Sequence, residues 1–179
     1  MKLHLASAAL AALVLSQAAP AAAPAPYAGQ ENRDIKALSA DEVQGYLSGG
    51  GMGFARAAEL NSYPGPMHLL ELKADLGLSA EVEARLSSLM QAHKAQARIL
   101  GEKVVQLEQA LDQLYKEGRA SEESVSALTL RIGEAQARYR ASHLTTHLAA
   151  TAMLSPEQVA HYNVLRGYTG GGQTHQHKM

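Results

Sequence analysis

The sequence predicts an all-α fold built on a long antiparallel helical hairpin with short flanking helices. Three observations carry that expectation. The chain of 179 residues is 46% hydrophobic yet holds one Phe and no Trp. Its apolar mass is mostly Ala and Leu, which lose little rotamer freedom in a helix. Two long segments, 80–116 and 122–153, carry apolar residues at steps of three and four, the helical period. Helix start and stop signals divide what precedes and follows them into short pieces.

The first piece begins at Leu38-Ser39-Ala40-Asp41-Glu42-Val43. Ser39 can cap the helix and Glu42 can reach back to the cap's N–H, a reciprocal capping box. The helix is expected over 40–47, stopped by Gly49-Gly50-Gly51. A second short helix is expected over 52–60, closed by Pro64-Gly65-Pro66, because proline removes a backbone donor and clashes with the preceding turn. A third, 67–76, ends at Gly77.

Leu78 and Ser79 then open the first long helix, with Val82 where a box would have Glu or Gln, so the cap is plainer. Its apolar positions are Val82, Leu86, Leu89, Leu100, Val104, Leu107, Leu111 and Leu114, with a gap between Leu89 and Leu100. Gly118 ends it and Ser121 caps the next, which carries Val125, Leu128, Ile132, Tyr139, Leu144 and Leu148. A last helix, 156–166, starts at Leu154-Ser155-Pro156-Glu157-Gln158-Val159 with a full capping box and proline at its first position. The connection at Gly118 is short, so the long helices should lie antiparallel, each arm on the order of 50 Å long. Two such arms cannot enclose a core alone. The short helices cover part of the stripe, and a second copy of the chain, in a homodimer, is the natural cover for the rest.

Outside this body, residues 1–18 read as a signal peptide, with Lys2, an apolar run over 5–15 and small residues at Ser16-Gln17-Ala18. The apolar run is too short to span a bilayer, so secretion through a cleavable signal peptide is expected, and the segment does not name the membrane crossed. An Ala/Pro-rich linker over 19–37 leads to the helical domain, 38–168, whose core is 67–168. A flexible Gly/His tail follows over 169–179.

Composition narrows the function. There is no Cys, hence no disulfide, thiolate metal site or c-type haem attachment. The net charge is −1 with no basic stripe, which argues against a nucleic-acid partner. No nucleophile elbow, phosphate loop or H-E-x-x-H motif is present, so an enzyme is not expected. The histidines are more informative. His93 lies 25 residues before Gly118 and His143 lies 25 after it, so a hairpin sets them level on facing arms. His147 follows His143 by one turn, on the same face, and its level opposite is near Met90. Met90, His93, His143 and His147 can therefore converge, a donor set suited to Zn, Ni or Cu. The competing reading is a solvated or packed histidine pair with no ligand. His68, His161, His175 and His177 are weaker candidates.

The order of these parts resembles the Spy/CpxP superfamily, which includes ZraP-like zinc-associated proteins and CnrX-like heavy-metal sensors. What carries the resemblance is the pair of L-S motifs flanking the hairpin. They are Leu78-Ser79-Ala80-Glu81-Val82 and Leu154-Ser155-Pro156-Glu157-Gln158, the latter followed by Tyr162 and Leu165-Arg166-Gly167-Tyr168. The resemblance covers roughly 67–168. It implies a periplasmic protein that dimerises into a curved, cradle-like shape. One branch binds unfolded clients without ATP or damps envelope-stress signalling; another binds zinc, nickel or cobalt and signals through a membrane-bound partner. Val82 stands where that family usually has Gln, and Leu72 stands where the sensor branch has a second His after the position of His68, so sensor-type coordination is not carried over. Two expectations follow. The first is an ATP-independent, chaperone-like envelope-stress accessory protein; the alternative is a heavy-metal sensor or resistance protein.

Overall fold

The structure, a computed structural model, describes residues 25–168. The expected signal peptide, the start of the linker and the tail with His175 and His177 lie outside the described residues. The chain divides into a unit ending at Glu31, seen from residue 25 as turns, and a second unit beginning at Asn32. The second unit holds α1 (Ala40–Ser48), α2 (Arg56–Glu59), α3 (Pro66–Glu71), α4 (Ala80–Lys116), α5 (Glu122–Thr151) and α6 (Pro156–Leu165). Among the described residues there is no strand, and no helix is long and apolar enough to cross a membrane.

The helix starts follow the cap chemistry. Ser39 with Glu42 and Ser155 with Gln158 form complete capping boxes, as Ser121 does with Ser124. Ser79 accepts only from the Val82 N–H, since valine returns nothing. Gln158 does more than box: its Nε2 donates to the Leu76 carbonyl at 3.1 Å, tying the start of α6 to the chain just before α4. The short helices are shorter than their spacing predicts. Met52 and Gly53 adopt positive φ (45° and 77°), so only Arg56–Glu59 of 52–60 is helical. Likewise α3 loosens into turns after Glu71 and closes at Gly77, with φ 59°.

Two apolar clusters hold the hairpin and its cover. One gathers Ile35, Leu38 and Tyr46 against Ala97, Val104 and Leu107 of α4 and Ile132, Ala135 and Tyr139 of α5. The other gathers Leu69, Leu76 and Leu78 with Leu86, Ala150 and Tyr162. The packed unit thus takes in part of the expected linker: Ile35 is buried, and the Lys36 N–H donates to Asp112 Oδ1 at 3.2 Å. Close approach of α1 needs Gly101, where a Cβ would sit 2.0 Å from the Tyr46 carbonyl oxygen.

The inward face of α5 differs from its leucine spacing. Beyond Tyr139 the buried residues are His143, Thr146 and Ala150, while Leu148 is 53% exposed. These residues keep the four-three-four rhythm of one helical face, but with small and polar side chains, and α2 and α3 pack there. On α4 the same face runs Leu86, Met90, His93, Ala97, Gly101 and Val104. The gap between Leu89 and Leu100 is therefore filled by an inward face of different chemistry.

Candidate functional site

The level of Met90, His93, His143 and His147 lies between the two apolar clusters along both long helices. A cavity of about 480 Å³ opens there, and all four side chains line it. Its far wall comes from the chain between α1 and the first turn of α3, including Met52, Glu59, Gly65, Met67 and His68.

The equal heights of His93 and His143 on the hairpin bring their rings together. His93 Nε2 lies 3.0 Å from His143 Nδ1, and the ring centroids are 4.5 Å apart. His143 also meets the Tyr139 ring, tilted, with centroids 4.8 Å apart. Tyr139 is itself pinned: its hydroxyl donates to the Gly50 carbonyl at 2.6 Å, and its ring stands edge-on to Tyr46 and Phe54. Burial, then the nearby His93 and His147, holds the His143 imidazole down to about 4. Burial, then His147, lowers His93 as well. Both rings are therefore neutral at neutral pH, the form that ligates metal.

The tautomers follow from the partners. His147 Nδ1 lies 2.7 Å from the Tyr63 carbonyl oxygen, which can only accept, so Nδ1 carries a proton and, in the neutral ring, Nε2 holds the lone pair. Within the His93–His143 pair one nitrogen donates to the other. His143 Nε2 is buried with no partner. An orphaned buried N–H is worse than an under-used acceptor, so His143 Nδ1 is the donor and its Nε2 also carries a free lone pair. Fixing one ring nitrogen by a hydrogen bond so that the other is basic is how metal-binding histidines are set up.

Behind His147 stands Glu59, its Oε2 3.6 Å from His147 Nδ1. Glu59 Oε1 accepts from the Tyr162 hydroxyl and from the Tyr168 hydroxyl at 3.2 Å, with Arg166 Nε 3.9 Å away. This half-buried carboxylate links the cavity wall to α6. Burial, then the hydrogen bond to Glu59, raises the Tyr162 phenol, so its proton stays on the tyrosine. The fit of His147 also depends on Gly65, where a Cβ would come within 2.7 Å of the ring's Cε1 and Nε2.

The four residues expected to converge do share one cavity wall, but they do not form a closed cage. Among the described residues, no three His, Asp or Glu side chains stand together as a metal site requires. Leu78, Ser79, Leu154, Ser155 and Gln158 stay at helix starts, in capping and packing roles. Spacing did not single out Glu59, Met52 or Met67, and it ranked His68 low. The signal for Met52 and Glu59 was the helix-breaking character of 49–66, since irregular segments on a rigid scaffold often carry function, and Met67 and His68 follow it at the start of α3. No protein-family model, curated protein or solved structure matches the chain.

Proposed function

We propose that this is a non-enzymatic, metal-binding protein of the periplasm, resembling the heavy-metal branches of the Spy/CpxP superfamily. The observation that carries the reading is the cavity wall shared by Met90, His93, His143 and His147, with His143 Nε2 buried and unpartnered. A transition-metal ion satisfies that orphaned atom, and His143 can offer it without breaking its bond to His93. Met90, His143 and His147 are the residues that would hold Zn, Cu or Ni, and His93, whose Nε2 accepts from His143 Nδ1, would fix the tautomer that frees His143 Nε2. The link through Glu59 to α6 offers a route from occupancy to the protein surface, where a membrane-bound signalling partner would read it. Calorimetric titration of the chain from Ala19 onward with Zn²⁺, Cu²⁺ and Ni²⁺ tests this. Stoichiometric binding that vanishes in His143→Ala/His147→Ala supports the reading, and an unchanged affinity in that double variant sinks it.

A second reading, client binding on a helical surface, is favoured by large apolar side chains left exposed on both arms: Ile99 at 62%, Leu130 at 73% and Leu148 at 53%. The same surface suits a homodimer of cradle-like shape. Suppression of the aggregation of a reduced client, together with a dimer in sedimentation velocity, is the expected result. A monomer that leaves aggregation unchanged at several-fold excess removes this reading.

A further inference from the structure

We propose that the ion this cavity selects is a soft monovalent d¹⁰ cation, Cu(I) or its redox-inert mimic Ag(I), taken by the thioethers of Met52, Met67 and Met90 together with His143. The inference rests on the metal-binding reading above, and three observations narrow it.

The first is the donor set. Three His, Asp or Glu side chains do not gather here among the described residues, and the chain has no Cys, so a closed four-ligand zinc site lacks its usual donors. What the wall adds to its imidazoles is sulfur: three of the six methionines of the chain, Met52, Met67 and Met90, line this one cavity. Thioether is a soft ligand that favours Cu(I).

The second is charge. The one carboxylate on the wall is Glu59, which shares the wall with the cations Arg56 and Lys94 and is already engaged by two tyrosine hydroxyls. Stripping water from an ion costs more as its charge rises, and buried charge must be compensated. A wall without surplus negative charge accepts a monovalent ion more readily than a dication.

The third is the backbone at Met52. It holds φ 45° inside the run Gly49-Gly50-Gly51-Met52-Gly53, a conformation glycine adopts freely and other residues do not. Glycine is the low-cost residue there, and its neighbours are glycine, yet methionine is present. Room for its side chain comes from a second unfavourable choice: a Cβ on Gly45, inside α1, would lie 2.8 Å from the Met52 sulfur. Two local costs, a left-handed methionine and a mid-helix glycine, accompany one methionine that lines the cavity. Strain of this kind gathers at functional sites.

The test is methyl NMR of the purified protein labelled at methionine, titrated with Ag(I) and separately with Zn(II), with Cu(I) affinity measured anaerobically against a chromophoric Cu(I) chelator. One equivalent of Ag(I) should move the methyl signals of Met52, Met67 and Met90 and spare Met153, which packs in the apolar cluster with Leu86 and Tyr162. Met52→Leu and Met52→Gly should each weaken Cu(I) on the order of tenfold or more. Met52→Gly, which relieves the backbone, should at the same time melt no lower than the parent. Zn(II) bound more tightly than Cu(I), or Ag(I) bound with all three methyls unmoved, overturns the soft-ion inference and leaves the metal reading standing. Unchanged Cu(I) affinity in Met52→Gly removes Met52 from the site and with it the inference. Absence of binding by every ion overturns both.

Discussion

His143 pairs with one imidazole, lies tilted against a tyrosine ring and leaves one nitrogen buried and bare. Its chemistry predicts how the metal-free protein responds to acid. The unfolded imidazole titrates at 6.5 and the folded one at about 4, so between those values the unfolded chain binds a proton that the folded chain does not. Stability owed to this group is full above pH 6.5 and is lost as pH falls towards 4, a loss on the order of 3 kcal/mol. His93, also lowered, adds in the same direction. Urea unfolding of chelator-treated protein at pH 7.5 and 4.5 should show the loss, and His143→Leu should reduce it; an undiminished loss in that variant would exclude His143 as its source. Gly65 predicts a second effect. Its φ of −86° suits alanine, so Gly65→Ala acts only by pressing on His147. The ring should leave the Tyr63 carbonyl at a cost of about 1–3 kcal/mol. Nitrogen-15 spectra should then show the loss of the fixed Nδ1–H tautomer; retention of that tautomer would mean the loop, not the ring, had moved.

At the level of elements, the starts of α4 and α6 share the same letters, Leu-Ser, but do different amounts of work. Ser155→Ala and Ser79→Ala each remove one cap, for about 1 kcal/mol. Gln158→Ala removes the return half of the box and also the bond to the Leu76 carbonyl that joins α6 to the chain before α4. It should therefore cost more than Ser79→Ala, by about 1 kcal/mol, in chemical denaturation. Equal costs would show that the Leu76 contact contributes nothing. Caps were legible in the sequence because they depend on residues within four positions of one another. The loosening of 52–55 and of the chain after Glu71 was not, because it depends on the left-handed backbone at Met52, Gly53 and Gly77.

Over the whole second unit, the two apolar clusters sit on either side of the His/Met level, and each is anchored by a residue of α4 with no exposure: Leu86 in one and Val104 in the other. They stand roughly 27 Å apart along the helix at its usual rise. Leu86→Ala should cost about 3–5 kcal/mol and Val104→Ala about 2–3 kcal/mol. The double variant should add to within about 0.5 kcal/mol, because the sites share no partner. A clear departure from additivity would mean that the cavity between them transmits packing strain.

The sequence by itself determined the helical class, the extents of α1, α4 and α6 within a residue or two, their caps, and the equal heights of His93 and His143. Each of these follows from short-range chemistry or from counting residues across one glycine turn. Tertiary structure alone decided which face of α5 turns inward, since Leu148 and His143 both fit a helical stripe and only the packing of α2 and α3 separates them. It also decided that Met52, Glu59, Met67 and His68 meet the hairpin histidines at one cavity. Met52 lies in an irregular segment and the others in helices of one or two turns, too short for a period to read, and Met52 is given its room by the side chain that Gly45 lacks.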